Sequence, residues 1–398
     1  MLGGLAMKRG TFKLMKSVNK SIVLNKIRTS APISRAQIAK ETKLTPPTVS
    51  GIVREFLDQG IVVEKESGKS KGGRRPIMLQ INYQAFSIIG VDVGPERIVA
   101  VATDLSGKIL KRHSVDLPTS MDNTLFIQLL KLCIHQLDQD FPDTMGPFLG
   151  IGVAMHGAVD TEKGISLVTP NLGLTNIPIK EELEKEFDLE VKVENDARLM
   201  ALGESWFGGH GKLDSMIVVN IGRGVGGGVI INGELYHGTV DIAGELGHMV
   251  IDIHGDTCEC GNRGCLQTLT TGSAIARLAQ KKLEKYDQAD EKIANLSGKD
   301  VYELAKNNDE LSKNVLQKTG EYIGIGLINL IHIINPDKIV LGGGVMNSEE
   351  FIMPQILQTV ETGALTKEAG ETEIVVTQLG KDATVLGAIA QFLVGVYE

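Results

Sequence analysis

Hydrophobic positions follow two different rhythms along the chain. Near its start Val18, Ile22, Val23, Leu24 and Ile27 recur at helical spacing among lysines and arginines, which predicts a first helix. Ser34-Arg35-Ala36-Gln37 has the form of a capping box: the Ser34 hydroxyl accepts from the amide three residues on, and the Gln37 side chain reaches back to the amide of Ser34. A second helix therefore starts at about residue 35 and stops near residue 42. Thr45 can cap and Pro46 suits a first helical position, so a third helix is predicted over residues 46–59, ended by Gly60. Residues 61–63 read as a strand, 64–75 as a loop and 77–81 as a returning strand, a hairpin resembling a wing.

Beyond residue 81 nearly unbroken apolar runs take over. Residues 87–92 form one, followed by the turn Val93-Gly94-Pro95-Glu96 and a returning strand over 97–104. The unit recurs as a strand over 215–220, a glycine-rich turn over 221–228 and a strand over 229–231, so the body is read as internally duplicated α/β structure. A helical pattern through 322–330 stops before Pro336, and a strand over 338–341 ends in Gly342-Gly343-Gly344. Glycine turns facing one another would suit a nucleotide-phosphate clamp, because bare amides can approach phosphate oxygens, although most glycine-rich hairpin turns bind nothing. Between the repeats a strand from Val191 gives way to a helix at Asn195-Asp196, the carboxyl end of a strand, where open α/β sheets meet their ligands. The pair can hold sugar hydroxyls, with Asp196 also able to act as a general base, or can simply cap the helix.

Charge divides the chain at about residue 80. Over the whole 398 residues the formal net charge is −8, which taken alone argues against nucleic acid. Residues 1–80 carry 16 Lys+Arg and 5 Asp+Glu, net +11; the rest carry 25 and 44, net −19. A basic head thus precedes an acidic body. In the head, two short helices joined by a tight turn, the second opening with Thr45, Thr48 and Ser50 and carrying Arg54, form a helix-turn-helix pattern able to enter a major groove about 12 Å wide. The hairpin loop, with Lys69, Lys71, Arg74 and Arg75 among glycines, is suited to phosphates or a minor groove; a solvated basic linker is the bland alternative. No run approaches the roughly 18 apolar residues of a membrane helix, and the short, glycine-broken apolar start does not make a signal-peptide core, so the protein is read as cytoplasmic with no membrane partner.

Three of the four cysteines, Cys258, Cys260 and Cys265, lie within eight residues, too few for a disulfide framework but well spaced for metal. Three thiolates and one imidazole satisfy tetrahedral Zn²⁺. His248 or the nearer His254 would supply the imidazole on spacing alone. A closed four-ligand site leaves no place for a reactive water, so its role is read as structural, holding Glu245, His248 and Gln267 against the crevice.

Together these features resemble the repressor, open-reading-frame and kinase (ROK) family, and within it the transcriptional repressors of sugar metabolism such as xylose and N-acetylglucosamine repressors. The resemblance rests on Gly247-His248 followed after nine residues by Cys258-x-Cys260-Gly261-x-x-Gly264-Cys265, with support from Glu194-Asn195-Asp196-Ala197, Gly72-Gly73-Arg74-Arg75-Pro76, Pro170-Asn171-Leu172 and Leu386-Gly387-Ala388. It implies a winged helix-turn-helix domain over residues 1–81 and an actin-like, sugar-kinase body of two ribonuclease-H-like lobes, 82–200 and 201–398, the C-terminal helix packing back on the first. It also implies a structural Zn²⁺ on His248, Cys258, Cys260 and Cys265, and sugar binding at Asn171, Asn195, Asp196, Glu245, His248 and Gln267. In the family's kinases the residue matching Asp196 deprotonates the attacking sugar hydroxyl.

Departures from the kinase pattern decide which family function is expected. Where kinases read Asp-x-Gly-Gly-Thr, this chain has Pro95 and Glu96: proline removes an amide donor and glutamate puts negative charge where a phosphate would sit. The second turn, normally Gly-Thr-Gly, carries Arg223, and the acid after the third cysteine is Gln267, an amide that donates as well as accepts. The expectation is a non-enzymatic, sugar-responsive repressor in which Asp196 is a vestigial base. It would bind operator DNA as a homodimer or tetramer. An ATP-dependent sugar kinase with a DNA-binding head, and a repressor controlled by a protein partner, are the competing readings.

Overall fold

A computed structural model describes residues 18–65, 76–138, 141–142, 145–284 and 296–397. The described residues fall into two compact units, one reaching to Asn195 and resuming at Ala388, the other Asp196–Gly387.

The first unit begins with the three helices that the head's periodicity predicts: α1 (Val18–Ser30), then, after the two-residue strand β1 (Ile33–Ser34), α2 (Arg35–Thr42) and α3 (Pro46–Asp58). Val23, Leu24, Ile27, Ile38, Val49, Val53 and Phe56 are buried, which is the apolar face of each helix turned inward. Ser34 caps α2 by accepting from the Gln37 amide at 3.2 Å. The reciprocal half of the expected capping box is not made: Gln37 Nε2 donates instead to Glu41 Oε1 at 2.8 Å, a carboxylate acceptor one turn along the same face. Lys43 turns the chain in the left-handed region, and Thr45 caps α3, accepting from the Thr48 amide at 3.4 Å. Ion pairs Lys20–Glu55 and Lys26–Glu41 tie α1 to α3 and α2. Strands β2 (Val62–Lys65) and β3 (Met78–Ile81) pair antiparallel from Val62↔Ile81 to Lys65↔Met78. β1 adds a third strand on β3, which two residues between helices could not announce by alternation. Lys69, Lys71, Arg74 and Arg75 lie outside the described residues.

The rest of this unit is a five-stranded sheet with helices. Strands β4 (Ser87–Val93), β5 (Arg97–Asp104) and β6 (Ile109–Asp116) form a meander; α4 (Asn123–Asp138) follows, then β7 (Phe148–Met155). A small sheet of β8 (Ala158–Asp160), β9 (Ile165–Thr169) and β10 (Leu174–Ile177) precedes α5 (Ile179–Phe187) and β11 (Glu190–Asn195). The large sheet runs β11-β7-β4-β5-β6, with β4 parallel to β7 and antiparallel to β5. Its core gathers Ile89, Val91, Phe126, Leu130, Val153 and Leu183.

The second unit opens with α6 (Asp196–Phe207), then β12 (Ser215–Ile221), β13 (Val225–Ile231) and β14 (Glu234–Leu235). Helices α7 (Gln267–Thr270), α8 (Gly272–Glu284), α9 (Gly298–Lys306) and α10 (Glu310–Ile334) lead to β15 (Lys338–Gly342). Last come α11 (Glu349–Gly363), α12 (Lys367–Gly370), β16 (Glu373–Val376) and α13 (Ala383–Tyr397), which passes into the first unit at Ala388. The sheet order β14-β13-β12-β15-β16 repeats that of the first unit strand for strand, with the same parallel and antiparallel pairings. The duplication seen in two short motifs is thus a duplication of topology.

The second glycine turn also differs from its expectation. The turn predicted over 221–228 is only Gly222-Arg223-Gly224, and Gly226, Gly227 and Gly228 lie inside β13. Their reason is close packing: a Cβ on Gly226 would lie 2.9 Å from the Cβ of Ala197, and one on Gly228 would collide with Ala201, so α6 sits directly on the strand backbone. Among the described residues, no helix is long and apolar enough to cross a membrane.

Candidate functional site

In the second unit α6 begins at Asp196, where β11 has ended, so the junction residues stand where the sequence placed them. Burial pushes the Asp196 carboxyl up to about 6; the amides of Ala197 and Asp196 itself and the charge of Arg198 oppose the rise, while Glu245 adds to it. Glu245, largely exposed, precedes a 3₁₀ turn, Leu246–His248, that aims the imidazole: His248 Nε2 lies 3.9 Å from Glu245 Oε2.

The other ring nitrogen faces sulfur. His248, Cys258, Cys260 and Cys265 place one ligand atom each within 4.8 Å of one another, so the imidazole that joins the thiols is His248. His254 instead bonds Asp252 through its amide. A tetrahedral ion with bonds of about 2.3 Å to sulfur and about 2.05 Å to nitrogen needs sulfur–sulfur edges of about 3.8 Å and sulfur–nitrogen edges of about 3.6 Å. Cys260 Sγ and Cys265 Sγ are 3.8 Å apart, and Cys258 Sγ and His248 Nδ1 are 3.6 Å apart, so the donor set fits Zn²⁺. The amide of Asn262 pulls the Cys260 thiol down, and burial pushes Cys265 up. The loop is held by bridges Val250↔Cys265 and Thr257↔Arg263, and by Gly264, whose left-handed backbone (φ 68°) leaves its amide bonded to Asp256. Arg277 on α8 clamps it from outside, reaching Thr268 O at 2.6 Å and Asp256 Oδ2 at 3.1 Å.

Gln267 starts α7 and donates its Nε2 to Cys258 Sγ at 3.2 Å, which leaves Oε1 as an acceptor beside Gly224. The amide gives the Cys258 sulfur a hydrogen bond that a carboxylate could not donate. Asp196, Glu245, His248 and Gln267 all belong to the second unit. Asn171 and Asn195 belong to the first: Asn171 is exposed in the turn from β9 to β10, and Asn195 Nδ2 donates to Gly157 O at 3.0 Å.

Each of the two glycine turns uses one of its amides internally. Gly94 N donates to Arg97 O at 3.0 Å, Pro95 has none, and Gly222 N donates to Gly224 O at 2.9 Å. Arg223 is exposed at that turn. Gly344 comes near it, since a Cβ on Gly222 would lie 3.9 Å from the Gly344 amide.

On α3, Pro47, Ser50, Gly51 and Arg54 are exposed along one stripe opposite the buried Val49, Ile52, Val53 and Phe56. Thr45 and Thr48 are less free than their hydroxyls suggest, being 2.8 Å apart and engaged in the cap. One residue escaped the sequence reading. Arg198, in the first turn of α6, is only 4% exposed and donates to Asp241 O at 2.6 Å; a lone arginine within an apolar helix gives no sign of its partner 43 residues on.

The model of the ROK family matches residues 88–394. A xylose repressor of Caldicellulosiruptor bescii is 33% identical over 389 residues, 96% of this chain and 97% of the relative. A solved ROK family transcriptional regulator, a homologue of the Escherichia coli MLC protein, superposes with a TM-score of 0.83 at 28% identity, covering 96% of this chain and 97% of that one. A ROK family glucokinase from Streptomyces griseus, solved with glucose and AMPPNP, gives 0.67 at 27% identity over 77% of this chain and 98% of the kinase.

Proposed function

The chain belongs to the ROK family, and on that footing we propose that it is a sugar-responsive transcriptional repressor, its head reading operator DNA and its body sensing a sugar. The observation that carries this reading is a contrast within the body. Asp196, Glu245, His248 and Gln267 offer groups suited to hydroxyls, whereas each glycine turn closes on itself through one of its own amides and the first carries Pro95, which has none.

On this reading Asp196 and Glu245 accept sugar hydroxyl hydrogen bonds, His248 offers Nε2 and Gln267 accepts through Oε1; Asn171 and Asn195 are further candidates by the family resemblance alone. Zn²⁺ held by His248, Cys258, Cys260 and Cys265 would be structural, cross-linking the loop so that His248 and Gln267 keep their aim. Neither residue needs to move a proton, and Asp196 binds rather than deprotonates. The exposed stripe of α3 enters a major groove, with Ser50 and Arg54 towards the bases, while Thr45 and Thr48 chiefly hold the helix start. Lys69, Lys71, Arg74 and Arg75 contact phosphates, and a dimer or higher oligomer would span half-sites about 34 Å apart.

D-Xylose is the first sugar to test, from the name of the Caldicellulosiruptor relative. The kinase alternative draws on the glucokinase likeness and on Asp196. Incubation with ATP, Mg²⁺ and D-xylose, D-glucose or N-acetyl-D-glucosamine separates the two readings: no sugar-dependent ADP release is expected, and release above background would overturn the non-enzymatic reading. Selection of bound duplexes from a random pool should return a sequence with two related half-sites, and deletion of residues 1–81 should abolish it.

A further inference from the structure

We infer that Arg198 is a positioning residue for the sugar site, joining the Asp196 end of α6 to the loop that delivers Glu245 and His248. This rests on the sugar-sensing reading above. Arg198 occupies an unfavourable place for a cation: it is buried to 4% exposure and lies in the first turn of a helix, where the backbone dipole is positive. Two features of the second unit offset that cost. Its Nη1 donates to Asp241 O at 2.6 Å, and its charge favours the ionised form of Asp196, two residues earlier, against the burial that raises that carboxyl.

The Asp241 carbonyl is presented by a shaped loop. Asp241 holds a left-handed backbone (φ 56°), Gly238 another (φ 74°), and Ala243 N closes the loop on His237 O at 3.1 Å. Three residues past Asp241 the chain reaches Gly244 and then Glu245 and the 3₁₀ turn that aims His248. One guanidinium therefore bonds the loop that leads to Glu245 and also acts on Asp196, whose rise in pKa it partly opposes. Val240 and Ile242 are 68% and 65% exposed, so these side chains bury little surface, and the Arg198 bond is one of the anchors of the loop.

The test uses full-length protein. Arg198→Met should weaken binding of whichever of D-xylose, D-glucose or N-acetyl-D-glucosamine the parent protein binds by roughly 10- to 100-fold, the loss expected for a hydrogen bond to a charged group. Arg198→Lys should fall between the two, keeping charge without the fork. In an Asp196→Asn background the further loss should shrink, because the part acting through the Asp196 charge is already gone, while the part acting through the Asp241 carbonyl remains. Because a buried substitution can fail to fold, the half-buried Asp241 supplies a second arm in Asp241→Pro and Asp241→Gly: proline cannot adopt the left-handed backbone and should reproduce the sugar defect, whereas glycine should bind as the parent does. Hydrogen exchange at the Ala243 amide should quicken in Arg198→Met and Asp241→Pro and stay slow in Asp241→Gly. Sugar affinity unchanged in Asp241→Pro, or Ala243 exchange unchanged in it, overturns the assignment. If the parent protein binds none of the sugars, the sensing reading fails, while the exchange measurement still decides whether Arg198 anchors the loop.

Discussion

Replacing Gly226 by alanine separates packing glycines from ligand glycines. A Cβ there would lie 2.9 Å from the Cβ of Ala197, and ordinary carbon contacts lie at about 3.5–4.0 Å, so α6 or β13 must give way by roughly 0.6–1 Å. Overpacking of this kind costs about 1–3 kcal/mol. For a unit of this size each kcal/mol lowers Tm by about 2–4 °C, so a fall of roughly 2–12 °C is expected. The displaced element starts at Asp196, so sugar affinity should fall as well. Gly222→Ala and Gly224→Ala are the controls: their Cβ atoms would meet nothing closer than 3.9 and 3.8 Å, and neither position lies in the left-handed region. They should keep or slightly raise stability, by about 0.4–1 kcal/mol, through the lost freedom of the unfolded chain. Calorimetric melts of the three variants and the parent decide the matter. Equal losses in Gly222→Ala and Gly226→Ala, or no loss in Gly226→Ala, would refute the packing account of the β13 glycines.

Asp196 makes a signed pH prediction. Its folded pKa, about 6, lies above the unfolded carboxylate range, so the folded state binds the proton more tightly and this group's unfavourable contribution grows as pH rises from about 4 to above 6. Asp196→Asn should therefore raise Tm at pH 7.5 and not at pH 4, while sugar binding by the parent weakens as pH falls through about 6. Cys265→Ser should lower the zinc content of freshly purified protein to well under one equivalent per chain and make the loop protease-sensitive; a full equivalent retained in the variant would dismiss the four-ligand site. Thr45→Ala should cost about 1 kcal/mol of head stability by loss of the α3 cap, measured by urea melts. Arg54→Ala should change preference among operator sequences more than it changes stability, seen in anisotropy titrations against single-base variants.

What could be read in the sequence depended on whether a feature is local. The three head helices, the Ser34 and Thr45 caps, and the metal spacing are contained in short windows and lie where their windows place them. The duplication was visible only in its two strand-turn-strand motifs, because the other strands pair across long insertions that carry no repeated pattern. Local signals misled where a residue had two uses. Gln37 matched a capping box, but the carboxylate of Glu41 competed for it. The β13 glycines read as turn residues because a packing glycine and a turn glycine share one letter. Arg198 and Gln267 owe their roles to partners brought close by tertiary structure, Asp241 O and Cys258 Sγ, which no spacing rule connects. Spacing alone left His248 and His254 level; the resemblance chose His248, and the 3₁₀ turn is what brings it to the thiols.

On the proposed reading, sugar in the body changes the operator affinity of the head. Fluorescence-anisotropy titration of a selected operator duplex with full-length protein, with and without saturating D-xylose, D-glucose or N-acetyl-D-glucosamine and with no ATP present, measures it directly. A shift of roughly 5- to 150-fold with one sugar, absent in Asp196→Asn, is the predicted result. Operator affinity unchanged by every sugar, accompanied by ADP release when ATP and Mg²⁺ are added, would contradict it.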